Sequence, residues 1–192
     1  PKERLWRQNS LRVSAESGRD VHLVASGLLE PKIGGPGIRP ALPKFVTSVG
    51  RSVQWPLSEK PDRYRRGIYI LLKRTVLYPM LTTFDAPDTS LSCSRREHTD
   101  TPMQALTLLN DPVFFECAET LGRELHATHG DDIDGAIRDL VRRCLNRELV
   151  SGELETLKTA HRDFIELAED PGLAMIATAR VVMNLNEFVT RD

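Results

Sequence analysis

The sequence predicts a mainly α fold: a helical bundle interrupted by long Pro/Gly-rich irregular segments, with at most one or two short strands. Three observations carry this. From residue 102 onward, apolar residues recur at the 3.6-residue period, in stripes bounded by capping residues and prolines. Residues 31–61 hold six of the twelve prolines, with Gly34, Gly35, Gly37 and Gly50, a density no helix survives. Only Gly67-Ile-Tyr-Ile-Leu-Leu72 reads as a short buried strand or extended segment.

In chain order, Asn9 or Ser10 can cap a first helix running to about Leu29, with Val13, Val21, Val24 and Leu28 at helical spacing. Gly18 opposes that helix by about 1 kcal/mol relative to Ala. The loop over 31–61 is long for a compact domain, and such loops are usually functional or disordered. A second irregular stretch covers 75–100. Thr101-Pro102 starts a helix with proline at its first position, and Asp111-Pro112 starts another, to about His126, on the stripe Phe114, Cys117, Ala118, Leu121 and Leu125. Ile133, Ile137, Leu140, Val141, Cys144 and Leu145 form the next stripe. Ser151 caps a helix containing Leu154, Leu157 and Phe164, and a last helix spans about Gly172 to Val189. The expected organisation is a helix plus Pro/Gly-rich loop over 1–66, motif-bearing loops over 67–111 and a helical bundle over 112–192. Together these would form the C-terminal part of a single domain.

Hydrophobic residues at 40% and charged residues at 28% exclude global disorder. The net charge of −1 conceals an asymmetry. Residues 1–114 carry 17 Lys/Arg against 11 Asp/Glu, and residues 115–170 carry 7 against 14. Residues 61–100 hold 7 basic and 5 acidic side chains, too balanced for an electrostatic footprint on nucleic acid, so no nucleic-acid partner is expected. No stretch approaches 18 uncharged apolar residues, so no membrane span is expected. The first residue is Pro1 and no basic-then-apolar leader follows, so the chain is expected to be cut from a longer protein.

Chemistry-bearing side chains concentrate between Tyr64 and Asp111. The candidates are Arg65, Arg66, Arg74, Asp85, Asp88, Cys93, Arg95, Arg96, His98, Gln104, Asn110 and Asp111. Asp85 and Asp88 could pair as acid and base, and with Asp111 could offer oxygens to calcium, although the dense D-x-D-x-D-G loop is missing. His98 could act as a base, and Arg95-Arg96 could grip a carboxylate, sulfate or phosphate. Cys93 sits in a polar loop where the two arginines would favour its thiolate, whereas Cys117 and Cys144 fall on apolar stripes. No zinc or haem spacing, phosphate loop, dinucleotide fingerprint, G-x-S-x-G or H-E-x-x-H occurs, so no cofactor or metal is assigned to this chain. The alternative use of the same side chains is structural. FDAPD has the composition of Asx-type turns, Asn110-Asp111 that of a helix break and cap, and irregular backbone needs such partners.

RRGIYILLKRT, FDAPD, CSRR, TPMQALTLLNDPVF and the ending MNLNEFVTRD, in that order, resemble the planctomycete-specific C-terminal domain of unknown function. LRVSAESGRDVHLVASGLL and GGPGIRP resemble its earlier segments, so the resemblance covers essentially residues 4–192. It implies the C-terminal module of a large, exported, periplasmic or otherwise extracytoplasmic protein. Its partners would be other domains of that protein, including a cytochrome-C-like one carrying any haem. It assigns no role to any residue. Departures are Asp100 where the family has Asn, Leu72 near a usual aromatic, and Leu149 where proline is usual. Asp100 is expected to add a charge beside Arg95 or Arg96. The functional expectation is an accessory domain that organises inter-domain contacts or binds a ligand. The alternatives are part of an enzyme acting on a saccharide or sulfate ester, and a docking surface for an electron-transfer module.

Overall fold

A computed structural model describes residues 11–43, 55–73 and 77–191. Among them are eight α-helices and one two-stranded sheet, so the chain is mainly α. The elements are β1 (Leu11–Arg12), α1 (Ala15–Ala25), α2 (Pro79–Thr83), α3 (Pro102–Asn110), α4 (Pro112–His129), α5 (Ile133–Leu145), α6 (Glu153–Ala168), α7 (Pro171–Met183), α8 (Asn186–Val189) and β2 (Thr190–Arg191).

The core is organised around α4 and α7. Helix α7 buries Ala174, Met175, Ile176, Thr178, Ala179, Val182 and Met183, and α4 buries Phe114, Cys117, Ala118, Leu121 and Leu125. The two backbones approach closely at Gly122, where a Cβ would stand 2.6 Å from the Ile176 Cα, so only glycine fits that crossing. Helix α5 follows its expected apolar stripe from Ile133 to Leu145. Helix α6 is peripheral: His161 is its only buried residue, and Leu167 is exposed.

Several elements differ from the sequence reading. The first helix starts later and ends earlier: Ser14 caps it by accepting the Ser17 N–H, and it stops at Ala25. Asn9 and Ser10 lie outside the described residues. Its inner face is Ala15, Gly18, Arg19, His22 and Leu23, while Val24 of the expected stripe points to solvent. Of the segment 67–72, expected as a short strand or extended segment, Gly67–Tyr69 is a 3₁₀ turn, while Ile70 is extended and makes a single bridge with Ile38. The cause is α1: a Cβ on residue 67 would stand 2.8 Å from the Glu16 backbone, and Asp20 Oδ1 accepts the Gly67 N–H at 2.6 Å. Helix α2 interrupts the stretch expected to be irregular. Gly152, in the left-handed region, precedes α6 where Ser151 was the expected cap. The last expected helix is two, parted at Asn184-Leu185. The only strands among the described residues join the two ends of the described chain: Leu11 pairs with Arg191 and Arg12 with Thr190, antiparallel.

Candidate functional site

The side chains singled out between Tyr64 and Asp111 separate into distinct groups. Arg65 is buried and serves the Pro/Gly-rich loop: its guanidinium donates to the carbonyls of Lys32, Gly34 and Pro36 and lies over the Tyr69 ring. Five donors in a planar fork let one side chain satisfy three loop carbonyls at once. Arg66 is exposed and donates to Asp20 at 2.8 Å. Arg74 lies outside the described residues.

A second group is a closed polar network between α2 and α3. Asp85 adopts a left-handed φ of 60°, a conformation that Asp tolerates better than most residues. Its Oδ2 accepts the Thr99 N–H and the Thr99 hydroxyl, both at 2.8 Å. Gln104 is fully buried, and its Nε2 donates to the Thr83 carbonyl at 2.9 Å and to Thr99 Oγ1 at 3.0 Å. Gln104 Oε1 accepts the Thr101 N–H while Thr101 Oγ1 accepts the Gln104 N–H, a reciprocal cap at the start of α3. These bonds pinch the loop 86–98 at its base.

That loop holds Asp88, Cys93, Arg95, Arg96 and His98, and they do not join the Asp85–Gln104 network. Asp88 accepts from the Ser90 N–H and hydroxyl. Arg95 and His98 are exposed. Arg96 reaches Glu16 of α1 at 2.8 Å; burial pushes the Glu16 carboxyl up, but the Arg96 guanidinium, a backbone N–H and the Ser14 hydroxyl together outweigh this and hold it below its ordinary value. Cys93 is exposed and donates to the Arg95 carbonyl at 3.0 Å, and it lies close enough to Arg96 to interact with its guanidinium electrostatically. Asp100 pairs with Arg12, which also lies over the Phe84 ring, and not with Arg95 or Arg96 as expected. Cys117 and Cys144 are free and buried, and burial pushes both thiols up to about 12.

Asn110 donates from Nδ2 to the Leu106 carbonyl. Asp111 caps α4 by accepting the Val113 N–H at 2.9 Å, and burial pushes its carboxyl up to about 6. Behind it lies a buried polar group on α1 that the sequence reading missed. The Arg19 guanidinium donates to the Arg65 and Arg63 carbonyls at 2.8 and 2.7 Å. His22 donates from Nδ1 to the Gly18 carbonyl and sits between the rings of Phe114 and Phe188, 4.4 and 4.8 Å away. Desolvation holds the imidazole down at about 4, so it is neutral at physiological pH. Its Nε2 makes no hydrogen bond of good geometry. The available signal was the run of small residues Ala15, Gly18 and Ala25, which marks the inner face better than the valines do.

Among the described residues no group of three or more His, Cys, Asp or Glu could hold a metal ion, and no helix is long and apolar enough to cross a membrane.

A family model described as PSD1, a protein of unknown function (DUF1553), matches residues 1–161. The chain belongs to the DUF1553 family. No curated protein and no solved structure matches it. The match stops within α6, at His161, yet His161 Nδ1 bonds the Thr178 hydroxyl at 3.0 Å and α7 supplies half of the central helix pair. The folded unit of this DUF1553 chain therefore runs past the matched segment, to the β2 residues that pair with β1.

Proposed function

We propose that this DUF1553 chain is an accessory domain that organises contacts between domains of a larger protein. One observation carries the reading. The motif's buried polar side chains are spent on one another and on loop carbonyls, while the helix they hold in place turns an uncharged face outward. Helix α3 contains no charged residue, and Met103, Ala105 and Leu106 on it are exposed, Met103 at 63% and Leu106 at 49%. An uncharged apolar face on a chain with 28% charged residues is the composition of a contact surface. An extracytoplasmic location and a cytochrome-C-like neighbour, which the family resemblance implies, belong to the same reading. The enzyme alternative needs Asp85, Asp88, Arg95, Arg96 and His98 around one cleft. The engagement of Asp85 with Thr99 and Gln104, and of Arg96 with Glu16, favours the scaffold instead.

Amide hydrogen exchange compared between the 192-residue chain and the longer protein tests this. Residues 102–110 are expected to exchange more slowly in the longer protein; equal exchange there would refute the docking role.

A further inference from the structure

Helix α7 is apolar around almost its whole circumference, with Arg180 the one charged side chain in Pro171–Met183. A helix of that composition belongs in an interior. Its inner side packs on α4. Leu173, Ala177, Arg180 and Val181 lie within about a third of its circumference and form an outward stripe. Leu173 is 46% exposed and Val181 37%, and Phe115 of α4, beneath the Arg180 guanidinium, is 42% exposed. Arg180 itself is half-buried. Its Cζ lies 5.1 Å from the centre of the Phe115 ring, and Nη2 donates to the Leu109 carbonyl near the end of α3 at 2.7 Å. Nε is buried without a partner, while Nη1 makes no hydrogen bond and is not buried. Among the described residues no carboxylate forms an ion pair with Arg180.

We propose that this stripe docks an otherwise apolar helix of a neighbouring domain, and that the helix brings one Asp or Glu to Arg180. The inference rests on the docking role of the domain and extends it to a second face, joined to α3 through the Leu109 carbonyl. Apolar Leu173, Val181 and Phe115 select an apolar partner, and small Ala177 at the middle of the stripe lets a helix approach closely. Charge complementarity selects the acid. A guanidinium has five donors, and Arg180 spends one of them within the fold. Any partner that covers the stripe takes this cation out of water, which is strongly unfavourable unless a carboxylate meets it.

The test compares the 192-residue chain with the longer protein. Phenylglyoxal labelling, read by mass spectrometry, is expected to modify Arg180 in the chain alone and about tenfold more slowly in the longer protein, the factor for a docked state holding about nine molecules in ten. Leu173→Glu, which puts a like charge in the path of the acid at an exposed first-turn position, is expected to abolish that protection. Arg180→Lys in the longer protein keeps the cation and supplies a primary amine. A carbodiimide is then expected to join residue 180 by an amide bond to an Asp or Glu outside residues 1–192. Equal labelling of Arg180 in the two proteins would overturn the inference. A cross-link confined to the 192 residues, or none from residue 180 while Arg180 is protected, would overturn the carboxylate assignment. Slowed exchange at 102–110 with equal labelling of Arg180 would sink this inference alone, whereas equal exchange and equal labelling together would take the docking role with it.

Discussion

His22 and Asp111 are two buried ionisable groups whose shifts oppose each other, and substituting either should unmask the other. His22 falls from its ordinary 6.5 to about 4 on folding, because burial penalises the imidazolium. Above 6.5 it is neutral in both states and contributes no pH dependence. Between 6.5 and 4 the unfolded chain binds a proton that the folded chain refuses, so stability is lost as pH falls. At about 1.4 kcal/mol per pH unit, that loss totals about 3 kcal/mol. Asp111 behaves in the opposite sense: burial raises it from 3.8 to about 6. Between those values the folded chain holds a proton that the unfolded chain has released, so stability is gained as pH falls, again by about 3 kcal/mol. Over pH 4–6 the two contributions nearly cancel.

His22→Leu removes one of them at little structural cost, because leucine is of similar bulk between Phe114 and Phe188 and the Gly18 carbonyl remains a helix acceptor. Urea unfolding followed by circular dichroism at several pH values from 4 to 7 reads the effect. Relative to the wild type, His22→Leu is expected to gain about 2 kcal/mol as pH falls from 6 to 4, Asp111→Asn to lose a similar amount, and the double variant to track the wild type. Other carboxylates titrate in the same range, so the differences between curves carry the result, not the slope of any one curve. Parallel curves for the wild type and His22→Leu would refute the assignment of a neutral, desolvated imidazole.

Gln104→Leu removes the reciprocal half of the α3 cap and leaves the Thr83 carbonyl and the Thr101 N–H without partners, so a loss of about 2–3 kcal/mol in thermal or urea unfolding is expected. A chain ending at residue 161 lacks α7 and half of the central pair, and should give no cooperative thermal transition by calorimetry; a sharp transition would restore the shorter boundary.

The legible parts of the fold are those whose cause is local. Helix α5 follows its apolar stripe over the expected residues, and Thr101-Pro102 and Asp111-Pro112 open α3 and α4 because caps and first-turn prolines act within a few residues. The illegible parts depend on distant backbone. Nothing in the sequence singles out Arg19 or His22, yet Arg19 is buried because the carbonyls of Arg63 and Arg65 come to it from the far side of a long loop. Gly67–Leu72 has the apolar composition of a strand, but Glu16 and Asp20 of α1 crowd its first residues into a turn. The candidate site shows the same division. Nearness in sequence made one cluster of Arg65, Asp85, Arg95 and Asp111. The folded loops carry Arg65 to the proline-rich segment, Asp85 to Gln104 and Arg95 to the surface, and no periodic pattern encodes the path of an irregular segment.

The pairing of β1 with β2 has a topological consequence. Directly opposed residues in an antiparallel ladder stand about 5 Å apart, so the first and last described residues, 11 and 191, lie side by side. The described unit thus has its two ends together. It can be spliced into a surface loop of another protein without prising that loop open, or have its ends joined by a short tether and reopened elsewhere, and its helices would hold the same arrangement. The exposed loop 86–98, pinched by Asp85 and Thr99, is the natural place for the new ends.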